Sequence, residues 1–230
     1  MVLKDYNFNE LRTQLIAETK KKISESVHDD TIISQAINTI SELDRVCNIL
    51  AKRLREWYGL YNPELSHDIF DHIEFTKQIL ELNNNNSEMG GVFNSKDLEQ
   101  IKELAEKLKG LYDEKDSIVD YIRIKMGSFC PHILEVCGPL IGAKLLAHKG
   151  HLRDLAFMPS STIQILGAEK ALFRHLKFNA KSPKYGYLLQ HQDVAKAKNK
   201  GKAARQLANK ISLAAKLDYF KKESVDEDKE

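Results

Sequence analysis

The sequence predicts an all-α protein: a long antiparallel coiled-coil domain followed by a compact helical domain. Three observations predict it. Apolar residues recur at alternating spacings of three and four along two long stretches. No run of alternate-residue patterning competes with them. Only 5 prolines and 11 glycines punctuate 230 residues, which leaves room for long helices.

Residues 1–30 read as an amphipathic lead-in, with Leu11, Leu15 and Ile23 set among many charges. The first seam follows as Ile33, Ala36, Ile40, Leu43, Cys47, Leu50, Leu54 and Trp57. Four unbroken heptads favour a coiled coil over an isolated amphipathic helix. Gly59 and the Asn62-Pro63 pair end it, because a residue before proline is pushed out of helical geometry. A middle helix carries Ile69, Ile73, Thr76, Ile79 and Leu80 on one side. The run NNNNSEMGG at 83–91 predicts a loop or tip. Ser95 is the expected N-cap of the next helix, whose seam is Ile101, Leu104, Leu108, Leu111, Lys115, Ile118 and Ile122. Two such seams fold back as an antiparallel pair. The expected division is a coiled-coil domain over 1–125 with its tip around 58–95, a second domain over 126–222 and a short tail over 223–230. Pro131 and Pro139 mark the entry to the second domain, with helices expected near 140–148, 151–157, 161–166, 167–177 and 202–219.

Charge separates these parts. Gly142–Lys222 holds 17 basic and 4 acidic residues, a balance of +13, while the whole chain carries only +2. A basic domain on an otherwise acidic chain is the electrostatic footprint of a polyanion partner. Within it, Gly167 and Ala168 open a helix on which Lys170, Arg174 and Lys177 share one face and Leu172 and Leu176 another. A helix start offers unpaired N–H groups and the positive end of a dipole, which suits phosphate. Glu169 equally suits that dipole without any ligand. Lys196, Lys198, Lys200, Lys202 and Arg205 surround a second helix start at Gly201, with Leu207, Ile211, Ala214 and Ala215 behind it. Between the two, Lys181, Lys184, Tyr185, Gly186 and Tyr187 place lysines beside aromatics, a pattern that can combine phosphate contact with stacking.

Other classes find little support. No apolar run approaches the roughly 20 residues needed to span a bilayer. The first residues are polar, without a leader-peptide core. Three cysteines, Cys47, Cys130 and Cys137, do not make a disulfide framework and point to a reducing compartment. Cys130, His132, Cys137, His148 and His151 lack zinc-site spacing, so no metal or cofactor is expected. Nucleotide-binding glycine loops and metalloprotease helices are missing from the sequence, and Asp154 and Glu169 lack a partner base. An enzyme is not expected.

Four stretches together resemble the Nop-domain family, scaffold proteins of box C/D guide-RNA particles with a relative in pre-mRNA splicing. They are LREWYGLYNPEL (54–65), residues 142–177 with GAEKALFR at their heart, PKYGYLLQHQDV (183–194) and GKAARQLANKISLAAKLDYF (201–220). The resemblance implies a self-associating coiled coil, giving a homodimer. It also implies a domain that binds a kink-turn guide RNA already held by an L7Ae-type RNA-binding protein. Carried over by position, Gly167, Ala168, Lys170 and Arg174 fall in the family's RNA-facing helix, and Lys184, Tyr185 and Gly186 begin its RNA-facing loop. Gln164, Phe173, Lys177, Lys200, Lys202 and Arg205 complete the candidate RNA-binding set of this chain. The family's N-terminal fibrillarin-docking region is not matched, which makes fibrillarin a doubtful partner. Leu189-Gln190-His191 departs from the eukaryotic pattern after the loop glycine and resembles archaeal members. The expected setting is archaeal and cytoplasmic, or nucleolar if the source is eukaryotic. The competing expectation is a coiled-coil interaction protein that pairs with, or regulates, a full-length relative.

Overall fold

A computed structural model describes residues 8–81 and 89–227, with the side chains of all but Glu25 and 222–227. The helices are α1 (Phe8–Glu25), α2 (Asp29–Gly59), α3 (Pro63–Asp68), α4 (His72–Glu81), α5 (Ser95–Phe129) and α6 (Pro131–Lys149). They continue as α7 (Leu152–Ala156), α8 (Ser160–Ile165), α9 (Glu169–Phe178), a 3-10 turn (Tyr187–Gln190), α10 (Gln192–Lys196) and α11 (Lys200–Glu227). The fold is all-α, with no strand among the described residues. None of these helices is long and apolar enough to cross a membrane. Two compact units divide the chain: residues 36–124, and residues 1–35 with 125–230.

In the unit of residues 36–124, α2 and α5 run antiparallel, and their seams differ by one residue from the sequence expectation. The stripe Ile33, Ile40, Cys47 and Leu54 is buried as expected. Its buried companions are Ile37, Ala51 and Tyr58, while Ala36, Leu43 and Leu50 are only half-buried and Trp57 is exposed. Tyr58 is 5% exposed and Trp57 41%. In α5, Ile101, Leu108 and Ile122 are buried as expected. There Ala105 and Met126 are buried, while Leu104, Leu111 and Ile118 are only half-buried at the flank. The same shift in both helices has one cause. Each helix carries an apolar stripe three positions wide, and spacing alone does not say which edge faces inward. The small Ala51 and Ala105 permit close approach, so the larger leucines are displaced to the sides. Half-buried Lys115 on the α5 seam meets the exposed Asp44 of α2 at 2.6 Å across the helix pair. An ion pair between flanking positions of two helices favours one register.

The expected middle helix is two. Asn62 caps α3 by accepting the Leu65 amide at 2.9 Å, and the chain turns again before α4. Arg55 holds this turn, donating to the carbonyls of Ser66 and Ile69 at 2.5 and 2.6 Å while its guanidinium lies 4.3 Å from the centre of the Phe75 ring. Phe75, Thr76 and Ile79 face the core with Cys47, Ala51, Leu54, Tyr58, Ile101, Ala105 and Leu108; Ile73 is exposed. Residues 83–88 of the expected loop lie outside the described residues, and Met89 is exposed. The N-cap of α5 falls one residue before Ser95. Asn94 accepts the Asp97 amide at 2.8 Å and Asp97 accepts that of Asn94 at 3.3 Å, a reciprocal capping box.

In the unit of residues 1–35 with 125–230, α11 is central and packs on α6, α7, α8 and α10. Ala204, Leu207, Ala208, Ile211, Ala214 and Ala215 form its buried face. Helix α6 starts with Pro131, where the missing N–H costs nothing, and breaks at Gly138 (φ +74°) just before Pro139. Gly142 leaves room for the buried Met126 side chain, whose Cε would lie 2.5 Å from a Cβ there. The Asp218 carboxylate of α11, 3% exposed, caps α6. It accepts the amides of His132 and Ile133 at 3.1 and 2.9 Å and lies 2.6 Å from His132 Nδ1. Cys130 and Cys137 are buried, and burial pushes the Cys137 thiol up to about 12.

Candidate nucleic-acid interface

Helix α8 ends at Ile165, and Gly167, with φ of +86°, turns the chain into α9. Left-handed backbone of this kind favours glycine. The turn is held by the loop that follows α9. The Gln164 side-chain amide donates to the Lys184 carbonyl at 2.7 Å. The Gln164 carbonyl accepts from the Gly186 amide at 3.1 Å, and the Leu166 carbonyl from the Tyr187 amide at 2.8 Å. These bonds draw the backbones so close that a Cβ on Gly186 would lie 1.8 Å from the Leu166 oxygen. A Cβ on Gly167 would lie 2.8 Å from the Tyr187 ring. The small size of both glycines is therefore used within the chain itself.

The start of α11 joins the same place. Asn199 caps it, accepting the Lys202 amide at 3.1 Å, so the helix begins one residue before Gly201. The Lys184 side chain lies alongside Gly201, 3.4 Å from where a Cβ would be. Three segments distant in sequence thus converge: Gln164–Lys170, Lys184–Tyr187 and Asn199–Lys202. They bring Gln164, Gly167, Ala168, Lys184, Tyr185, Gly186, Lys200 and Lys202 together. Lys170, Phe173, Arg174 and Lys177 extend away along α9, all exposed, and Arg205 lies exposed one turn into α11.

Helix α9 differs from its expected packing. Leu172 is only half-buried, and Phe173, Leu176 and Phe178 are 60%, 67% and 77% exposed. No residue of α9 is fully buried. The helix offers solvent a basic stripe and an apolar one side by side.

The sequence singles out Tyr187 for stacking, His148 for a rejected zinc pattern and Glu169 as a dipole partner or an isolated acid, and it does not bring the three together. Glu169 Oε1 accepts the Gly167 amide at 2.7 Å and lies 3.0 Å from His148 Nε2. The His148 and Tyr187 rings meet edge-on, with centroids 5.8 Å apart. Burial raises the Glu169 carboxyl. The Gly167 amide, its own amide, His148 and Lys149 outweigh that and hold it below its ordinary range. Burial and the Glu169 charge push the Tyr187 hydroxyl up. Lys144 adds a bond to Gln190 at 2.9 Å, using the residue that departs from the eukaryotic pattern. Nothing in local spacing announces these contacts. No group of three metal-ligating side chains occurs among the described residues.

The chain is thus an all-α protein with a helical hairpin and an exposed basic turn braced by its own backbone. Residues 39–230 match the Nop family, described as snoRNA binding domain, fibrillarin. An uncharacterised NOP5 family protein of Methanocaldococcus jannaschii is 35% identical over 93% of this chain and 59% of its own length. Nucleolar protein 58 of Neosartorya fischeri is 37% identical over 87% of this chain and 39% of its own. Nucleolar protein 56 of Caenorhabditis elegans is 35% identical over 90% and 50%. The chain belongs to the Nop family, and it spans about 40–60% of the length of these relatives. A crystal structure of a fibrillarin/Nop5p complex shares the fold, with a TM-score of 0.56 and 22% identity over 95% of this chain and 73% of that one. Fibrillarin appears in both the family description and the neighbour's title, which gives no support to the expectation that it is a doubtful partner.

Proposed function

We propose that this chain is a non-catalytic ribonucleoprotein scaffold that binds a box C/D kink-turn RNA together with an L7Ae-type protein. The observation that carries the proposal is the convergence of the three basic segments at the Gly167 turn. It brings Lys184, Lys200 and Lys202 together, with Lys170, Phe173, Arg174 and Leu176 exposed along the adjoining α9. Cations suit phosphate, and an apolar stripe beside them suits a protein already on the RNA. Fibrillarin joins as a further partner, and the setting is nucleolar in a eukaryote or cytoplasmic in an archaeon.

The test is a gel-shift titration on a box C/D kink-turn RNA with and without the L7Ae-type protein. Tight binding is expected only with the protein present. Affinity should fall with salt at a log–log slope of about −0.7 to −0.9 per phosphate neutralised. Arg174→Glu should abolish most binding without unfolding the chain; normal binding by the folded variant would sink the proposed site.

Self-association is proposed through the outer face of α2. Val46, Ile49 and Trp57 fall on one side of that helix and are all exposed. Sedimentation should show a homodimer that Ile49→Glu converts to monomer. A wild-type monomer that instead pairs with a full-length Nop protein would favour a regulatory interaction protein.

A further inference from the structure

We infer that Glu169 and His148 are positioning residues that close the start of α9 to phosphate and set the Gly167 turn for binding. The inference rests on the proposed RNA-and-protein reading of this face. It sends phosphate to the side chains of Lys170 and Arg174 and away from the helix amides.

A helix N-terminus attracts an anion. Here the anion is part of the chain. The Glu169 carboxylate takes the Gly167 amide at 2.7 Å, and His148 Nε2 lies 3.0 Å from the same oxygen. A phosphate seated on those amides would meet a carboxylate at contact distance, and like charges that close repel strongly. The other charged group near this carboxylate is Lys149, on the same helix as His148.

The pair also touches both sides of the turn. His148 belongs to α6, and its ring meets Tyr187 edge-on while its Nε2 meets Glu169 on α9. Tyr187 in turn covers Gly167, and its amide is bonded to Leu166. One imidazole therefore ties the rigid α6 to the first residue of α9 and to the loop that closes on it. Removing either partner leaves the backbone bonds in place but frees the α9 direction, and with it the placing of Lys170 and Arg174.

The two views of Glu169 predict opposite signs. If the helix amides took phosphate, Glu169→Ala would remove a competing negative charge and tighten binding. If the carboxylate is a brace, Glu169→Ala weakens binding. The experiment titrates wild type, Glu169→Ala, Glu169→Gln and His148→Ala against the preformed kink-turn RNA–L7Ae-type complex, with circular dichroism melting as the fold control. Glu169→Ala and His148→Ala are each expected to weaken binding about tenfold, the effect of losing one charge-assisted hydrogen bond. Their double variant should be about as weak as either single one, because the two share a contact. Glu169→Gln should recover much of the affinity, since its amide oxygen still accepts from Gly167. The salt slope should stay close to that of wild type, because neither Glu169 nor His148 itself neutralises a phosphate. Unchanged or tighter binding by folded Glu169→Ala overturns the inference.

Failure of wild type itself to bind would defeat the proposed function instead. The brace is then judged by hydrogen exchange at the Gly167 amide. Exchange should be slow in wild type and fast in Glu169→Ala; equal rates overturn it.

Discussion

The unit of residues 36–124 and the Gly167 turn are built on opposite principles. The first is held by side chains at repeating intervals, with Leu54, Phe75, Ile101 and Leu108 all buried. The second is held by backbone groups: carbonyls of Gln164, Leu166 and Lys184 each receive one bond, and two glycines leave no room for a Cβ. A repeating apolar core is a volume to be filled, and similar shapes can fill it. A backbone-to-backbone contact is a distance, and one methyl group violates it.

Substitutions can break this contrast, taken from the largest expected effect to the smallest. Phe75→Ala removes a large side chain from the core of residues 36–124 and should cost about 3–5 kcal/mol in denaturant unfolding. Leu54→Met at the same core, which conserves volume, should cost less than about 1.5 kcal/mol. If it cost as much as a cavity, the hairpin would be as shape-strict as the turn. Gly186→Ala adds a single methyl, yet should cost about 2–3 kcal/mol and abolish binding, because the Leu166 carbonyl cannot yield like a side chain. Wild-type melting by that variant would break the contrast from the other side.

Asp218→Ala should cost about 1–3 kcal/mol, since it orphans two amides at the start of α6. Lys115→Met tests register against stability. The Asp44 pair is partly exposed, so its loss should change stability by no more than about 1 kcal/mol. Cysteine cross-links across the α2–α5 seam would then show whether alternative registers appear.

The smallest effect is a pH dependence. The Glu169 carboxyl is held below its ordinary value of 4.5, so its contribution is full above that value and is lost as pH falls through the lower folded one. The stability difference between wild type and Glu169→Gln should be present at pH 7 and shrink to nothing on the acid side. A difference that survived complete protonation would mean the carboxylate charge is not what holds the turn.

The two seams show how far periodicity reaches. It identified both helices, their antiparallel pairing and half of the buried positions. It chose the wrong edge of each stripe because Leu50 and Leu104 are larger and more apolar than Ala51 and Ala105, and size decides in the other direction when helices approach closely. The Arg55 contacts that split α3 from α4 were out of reach for a related reason. They run from one side chain to carbonyls 11 and 14 residues away, which no local signal records.

In the basic domain, the identity and order of the segments were legible in GAEKALFR and PKYGY, and so was the concentration of positive charge. What Gly167 and Gly186 are small for was not. Their space is taken by the Tyr187 ring and by the Leu166 carbonyl, which no local pattern records. Exposure of Phe173 and Leu176 was equally hidden, because an amphipathic pattern looks the same whether or not anything covers it.

The amino-acid sequence by itself determined the all-α class, the two long helices, the charge separation and the family. These follow from local periodicity, composition and short motifs, which need no third dimension. Only the tertiary structure decided which edge of each seam is buried. Only it brought Gln164, Lys184 and Gly201 to one place, and filled the start of α9 with the chain's own carboxylate. Those outcomes depend on distances between residues far apart in sequence, set by packing and by the backbone's need to pair its polar groups.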